Sequence, residues 1–197
     1  IFAGLFTPNE GAAVGCLLSF IYMILKGKFN KKNMIFSITE TAKTVGMTFL
    51  IVIGANIFGN FLAITKMPMS LATFASNLEV SRYVVFAVIC LIYALLGMFM
   101  DAMAMLLLTV PIFVPVIIGL GFDPIWFGVI MILVMELGLI TPPVGLNCYV
   151  MAGIAKDVPL QTIFKGALPY AIAIFIAIIL VTVFPQLALW LPNLFYI

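Results

Sequence analysis

Long apolar runs separated by short polar clusters organise this chain. A helix needs ~20 apolar residues to cross the ~30 Å hydrocarbon core of a bilayer, so the gaps between charges mark candidate spans. The first charge-free run, Gly11 to Leu25, reaches that length when the helix begins near Thr7-Pro8, because proline suits a helix start. Lys26-Gly27-Lys28-Phe29-Asn30-Lys31-Lys32 reads as a polar loop, and the mixed stretch 33–43 as an interfacial segment. Thr44 to Thr65 is a clear span. The next stretch, Lys66 to Arg82, is polar and interrupted by Pro68. Met67, Leu71, Phe74, Ala75 and Leu78 nevertheless fall there at helical spacing, which predicts an amphipathic helix lying in the membrane surface.

Two later patterns are unusual. Tyr83–Met100 and Ala102–Phe122 are both apolar, with only Asp101 between them. A turn in water would be polar, whereas Gly97-Met98-Phe99-Met100-Asp101 is an apolar tip with a single acid. The pattern predicts a re-entrant helical hairpin over 83–121 with its tip inside the membrane, where irregular backbone is tolerated only under protein or beside a cavity. From Asp123-Pro124 the chain stays apolar to Ile154 apart from Glu136, about 46 Å as helix and too long for one straight span. The Gly138-Leu-Ile-Thr141-Pro142-Pro143-Val144-Gly145 run interrupts it. Consecutive prolines remove backbone donors and clash with the preceding turn, so a discontinuous transmembrane helix is expected over 124–155. Lys156-Asp157 ends it. A last span fits Ala167 to Phe184, followed by an apolar tail, 185–197, with Trp190 and Tyr196 as interface anchors.

The resulting organisation has four parts. Residues 1–43 form a first transmembrane helix and a loop, and 44–82 a scaffold span with an amphipathic surface arm. Residues 83–166 hold the hairpin (83–121) and the broken helix (124–155), and 167–197 the last helix and tail. The fold class is all-α and integral to a membrane. Composition agrees: the chain is 65% hydrophobic and 8% charged, with a mean hydropathy of +1.33. Soluble domains carry about a quarter charged residues. The lipid bilayer is therefore the solvent. The chain opens Ile1-Phe2-Ala3-Gly4 without a methionine, and is expected to begin inside a larger polypeptide.

Charge placement adds an orientation. On the path just described, Lys26, Lys28, Lys31, Lys32, Lys43, Lys156 and Lys165 share one face, and Lys66 and Arg82 the other. The positive-inside rule makes the lysine-rich face cytoplasmic and the C-terminus periplasmic. No cationic face suits nucleic acid. Histidine is absent, which removes the commonest general base and the commonest transition-metal ligand. Cys16, Cys90 and Cys148 lie far apart in apolar runs, without metal-ligand or disulfide spacing. An intramembrane enzyme would need a nucleophile–base pair or a metal set. Ser19 and Ser37 have no such partners in sequence.

The polar residues inside apolar segments are the candidate machinery. Asp101 at the hairpin tip is costly in a bilayer unless paired, hydrated or bound to a cation. The flanking thioethers Met98, Met100, Met103 and Met105 read as flexible packing. At Thr141–Asn147, unwinding frees carbonyls that suit a hard cation such as sodium, and the restarting helix offers a positive N-terminus to a carboxylate. Thr141 and Asn147 add side-chain oxygens. Glu136 lies five residues before Thr141 and is read as either a ligand or a structural hydrogen-bond partner. Glu10 in Thr7-Pro8-Asn9-Glu10 fits a helix-start cap. Pro111 and Pro115 would bend the returning limb, where Thr109 could bond the freed carbonyls.

These stretches resemble a known family. Gly4-Leu-Phe-Thr-Pro-Asn-Glu-Gly-Ala-Ala-Val-Gly15, Gly97–Asp101, Thr109–Pro115, Leu120–Val129 and above all Glu136-Leu-Gly-Leu-Ile-Thr-Pro-Pro-Val-Gly-Leu-Asn147 are similar to the second half of the large membrane subunit of tripartite ATP-independent periplasmic (TRAP) transporters. The resemblance covers essentially the whole chain, in the family's order. Gly11 stands where the family often has alanine. The resemblance implies sodium-coupled uptake of small organic acids, such as C4-dicarboxylates or sialic acid, across the bacterial inner membrane. The implied partners are a periplasmic substrate-binding protein and a small membrane subunit. The implied fold is one inverted repeat of an elevator-type transport domain, and the family's first repeat lies outside these 197 residues. Carried onto this sequence, Gly97, Met100, Asp101, Thr141, Pro142, Val144 and Gly145 would bind Na+, the co-transported ion. Thr141, Pro143, Gly145 and Asn147 would face substrate, with Glu136 and Thr109 in support. The competing readings are a stand-alone sodium/carboxylate symporter of related architecture and a non-transporting structural subunit.

Overall fold

The computed structural model describes residues 7–77 and 80–195. Among them all regular structure is helical: α1 (Pro8–Leu25), α2 (Lys31–Thr65), α3 (Met67–Asn77), α4 (Arg82–Gly97), α5 (Ala102–Gly119), α6 (Pro124–Ile140), α7 (Leu146–Ile154), α8 (Leu160–Val183) and α9 (Gln186–Phe195). Four of these, α1, α2, α5 and α8, are long and apolar enough to cross a membrane, and α4 and α6 are shorter apolar helices. The chain divides into two compact units at Leu50/Ile51, inside α2.

The first unit begins with a reciprocal cap. The Thr7 hydroxyl accepts from the Glu10 amide (3.3 Å), while the Glu10 carboxylate accepts from the Thr7 amide (2.7 Å). That is the helix-start role expected of Glu10. None of the residues of α1 is buried. The interfacial segment expected at 33–43 is instead helical and continuous with the following span. No glycine or proline occurs between Lys31 and Val45, so nothing stops the helix. Asn30 starts it by accepting from the Asn33 amide (2.8 Å). A Lys43–Glu40 ion pair (2.7 Å) and i→i−4 hydroxyl bonds from Thr41, Thr44 and Thr48 then satisfy its polar side chains locally.

The second unit holds the core, built around α6. Buried residues of α4 recur as Phe86, Ile89, Tyr93 and Gly97, a one-sided helical stripe. They meet Trp126, Phe127, Ile130, Met131, Val134 and Met135 of α6 and Met105, Val116 and Ile117 of α5. Phe86 stacks on Trp126 with centroids 5.0 Å apart, and Trp126 on Phe122 at 5.1 Å. At the other end Gly97 meets Gly138, so α4 and α6 run parallel. The two limbs of the hairpin are antiparallel, because the Arg82 guanidinium at its start lies over the Phe122 ring at its end (5.0 Å). The Trp126 indole N–H donates to the Val181 carbonyl (2.8 Å), while Gly145 faces Phe164, so α8 runs antiparallel to α6.

Two sequence expectations change here. The surface arm is the helix α3, but it buries Ala72 and Ala75 against the hairpin core. Met67, Leu71 and Phe74 of the expected apolar face are exposed, and Leu78 lies outside the described residues. Small residues win the protein contact because they let the backbones approach, leaving the large apolar ones for lipid. The last span starts earlier than expected, at Leu160, with Pro159 just before its first turn. The apolar tail holds the helix α9, with Trp190 exposed; Tyr196 lies outside the described residues.

Candidate functional site

The hairpin tip is a tight, internally bonded turn. The amides of Met98, Phe99 and Met100 donate back to the Leu95 and Leu96 carbonyls at 3.2, 3.0 and 2.8 Å. Asp101 adopts extended backbone (φ −68°, ψ 148°) as the N-cap of α5. One of its carboxylate oxygens accepts from the Met103 amide (3.2 Å) and the other from the Ala104 amide (3.1 Å). The acid that looked isolated in sequence thus sits against a helix N-terminus, where backbone amides and the dipole both favour its charge.

The break after α6 is built differently. Thr141 leaves the helix with φ −101° and ψ 139°, the extended conformation that a following proline imposes. Its amide still donates to Gly138 (3.1 Å), and its hydroxyl donates to the Leu137 carbonyl. The Pro142–Pro143 peptide bond is cis. Gly145 then turns the chain at φ 59°, in the left-handed region that only glycine enters freely. A Cβ at this position would lie 2.8 Å from a Phe164 ring carbon and 3.0 Å from the Thr141 carbonyl oxygen. The Gly145 carbonyl accepts from Cys148 and Tyr149 (2.8 and 3.2 Å) and so starts α7, with no side-chain cap. The Cys148 thiol reaches back across the break to the Ile140 carbonyl (3.6 Å).

Both the break and the tip carry unpaired backbone carbonyls. Among the described residues no hydrogen bond reaches the carbonyls of Thr141, Pro142, Pro143 or Val144, or those of Gly97 to Met100 in the tip. Nor do the amides of Leu146 and Asn147 in the first turn of α7 have an acceptor there. Carbonyl oxygens of this kind can replace the hydration shell of a hard cation. A carboxylate would find free N–H groups and a positive dipole end at α7.

The structure brings some expected residues together and leaves others apart. Gly97 is buried against Gly138, three residues before Thr141, so tip and break share one region. Thr141 and Gly145 are in contact across the turn. Pro142, Pro143 and Asn147 are exposed, while Met100 and Val144 are half-buried. Glu136 is exposed on the open stripe of α6 that also carries Ile125 and Ile132, and its side chain makes no hydrogen bond among the described residues. Thr109 does not bond the carbonyls that Pro111 and Pro115 release. It is buried, 2.7 Å from the Met105 carbonyl and 2.6 Å from the Tyr93 hydroxyl. Thr109 has one hydroxyl hydrogen and a carbonyl can only accept, so Thr109 donates to Met105 and the Tyr93 phenol donates to Thr109.

Sequence reasoning missed Tyr93, Gly138 and Phe164. Tyr93 and Thr109 are equidistant from Asp101, a spacing that marks facing positions on two antiparallel limbs. Gly138 inside an apolar helix costs helix stability and so signals close packing. Phe164 carries no sequence signal.

The chain is similar to known proteins along almost its whole length. Residues 1–187 match the family model described as "Tripartite ATP-independent periplasmic transporter, DctM component". The sialic acid TRAP transporter large permease protein SiaM of Vibrio cholerae is 38% identical over 99% of this chain and 46% of its own length. The C4-dicarboxylate TRAP transporter large permease protein DctM of Pseudomonas aeruginosa is 34% identical over 98% of this chain and 45% of its own. The Haemophilus influenzae sialic acid TRAP transporter permease protein SiaT is 33% identical over 98% of this chain and 32% of its own. The chain spans about half the length of the first two, and all three are named as permeases rather than enzymes. Tip, break and apolar helices therefore belong to a protein of the TRAP transporter large-permease (DctM component) family.

Proposed function

We propose that the chain supplies one repeat of the transport domain of a sodium-coupled, binding-protein-dependent importer of small organic acids. The observation that carries this reading is the unwound Thr141–Gly145 segment between α6 and α7, with its unpaired carbonyls and uncapped following helix. Sodium sits on carbonyls of Thr141, Pro142 and Val144, joined by tip carbonyls from Gly97 and Met100. Asp101 serves that site by fixing the start of α5. The substrate carboxylate takes the N-terminus of α7, beside Pro143, Gly145 and Asn147. Relatives named for sialic acid and C4-dicarboxylate suggest carboxylates as the substrate class.

The hairpin is re-entrant in this reading. Its first limb, 16 residues, is about 24 Å long, short of a ~30 Å core. Neighbouring α8, 24 residues, is about 36 Å and serves as a ruler for a full crossing. With Arg82 and Asp123 at one boundary, the tip stops inside the membrane. The lysine-rich face is cytoplasmic, the membrane is the bacterial inner membrane, and the domain moves as an elevator. The partners are a small membrane subunit and a periplasmic binding protein.

The test is uptake of sialic acid and C4-dicarboxylates by the transporter reconstituted in liposomes with its partners. An inward sodium gradient is expected to drive accumulation, and replacing sodium by potassium to abolish it. Uptake that is equal in both salts, or that needs no binding protein, would overturn the reading.

A further inference from the structure

The glycine pair between tip and break has a role that neither the motifs nor the relatives' names assign. A Cβ on Gly138 would lie 2.8 Å from both the Cα and the carbonyl carbon of Gly97, and 2.9 Å from the Ala94 carbonyl oxygen. All three are backbone atoms and cannot swing aside. A Cβ on Gly97 would be less intrusive, at 3.2 Å from the Met135 carbonyl oxygen and 3.3 Å from the Gly138 Cα. Gly128, on the same helix, has open space around its Cβ position. Gly138 is buried in the last turn of α6, and Gly97 is the last residue of α4. Among the described glycines of α4 and α6, direct backbone-on-backbone approach therefore falls at the level where both helices stop. Carbon atoms prefer separations of ~3.5–4.0 Å, so a methyl on Gly138 forces the two helix ends apart by about 1 Å.

We propose that Gly138 is a positioning residue. Its missing side chain lets the end of α4 seat on the end of α6, so the tip carbonyls and the break carbonyls form one preassembled cation cradle. The hairpin tip is then not a flap that closes over the site but a fixed wall of it. This rests on the sodium reading given above. Ligand oxygens must converge within a few tenths of an ångström, so a 1 Å displacement of one wall weakens ion binding before it disturbs the fold.

The experiment compares Gly138→Ala, Gly97→Ala and Gly128→Ala in the reconstituted transporter. It measures the sodium concentration for half-maximal uptake, the maximal rate at saturating sodium, and thermal unfolding in sodium-free detergent. Gly138→Ala is expected to raise the half-saturating sodium concentration at least about tenfold, with the maximal rate within about twofold of wild type, as for a misplaced ligand shell. Gly97→Ala should shift it in the same direction but less, and Gly128→Ala not at all. Should Gly138→Ala fail to fold, Gly97→Ala carries the same test. A sodium dependence unchanged in both variants, or a loss of maximal rate at unchanged half-saturation, overturns the inference. Sodium-independent uptake by the wild type would instead overturn the functional reading, and this inference with it.

Discussion

Two interruptions lie close together in the same apolar bundle, and they are built in opposite ways. At the α4–α5 turn, three amides bond back into α4, and both oxygens of Asp101 are used to cap α5. At the α6–α7 break, two prolines have removed donors, Gly145 has replaced a capping side chain, and the carbonyls of Thr141 to Val144 have no partner among the described residues. The first interruption contains the only acid of the hairpin yet spends it locally. The second contains no charge at all, so backbone polarity is all that it offers. In a low-dielectric setting an uncharged carbonyl shell costs less to bury when empty than a carboxylate does. For the cation site proposed above, which alternates between loaded and empty, backbone carbonyls therefore suit better than a fixed charge.

The largest effect that tests this contrast is expected at Gly145. Gly145→Ala places a Cβ against Phe164 and the Thr141 carbonyl and forces a left-handed backbone on alanine. Uptake should fall about 100-fold, the scale of a 1 Å misplacement in a preorganised site. Adding Phe164→Ala should restore only part of it, since the φ and the Thr141 contact remain. Full restoration would show that the ring alone fixes the break.

A smaller effect is expected in the hairpin's interior. Thr109→Val leaves the buried Tyr93 phenol without its acceptor and should cost about 1–3 kcal/mol of stability. Tyr93→Phe leaves the Thr109–Met105 bond intact and should cost about 0.5–1.5 kcal/mol. Denaturant or thermal unfolding in detergent reads both. Neither should move the sodium dependence of uptake; a tenfold shift in either would mean the clasp between the limbs also sets the site.

The smallest effects belong to Asp101. Asp101→Ala removes the cap and should lower stability by about 1 kcal/mol. Asp101→Asn keeps the cap and should leave half-saturating sodium within about threefold of wild type, because asparagine caps as well as aspartate. A large rise with asparagine would place the carboxylate charge in the cation shell, and the contrast between the two interruptions would collapse.

Much of this was legible along the chain. Thr7 to Glu10 announced a capping box, and the charge gaps located α1, α8 and the two hairpin limbs. Pro142-Pro143 located the break because proline's effects are local and need no tertiary partner. Reading failed where competition between contacts decides. The mixed stretch 33–43 suggested an interface, but a helix without glycine or proline simply continued through it. On α3 the large residues looked like the packing face, yet Ala72 and Ala75 took it. Thr109 looked like a partner for proline-freed carbonyls until Tyr93 met it from the facing limb.

Read along the chain alone, the residues establish the solvent, most of the helices and the place where α6 must stop. Each follows from apolar length, from charge scarcity or from the backbone chemistry of proline and glycine, all properties of neighbours in sequence. What those features do together was settled by packing. It joined the Tyr93 phenol to Thr109 across the two limbs. It also set Gly97 on Gly138, so that the tip and the break form one region. These outcomes depend on which backbones can approach within van der Waals contact, and that is settled by the packing of helices far apart in the chain.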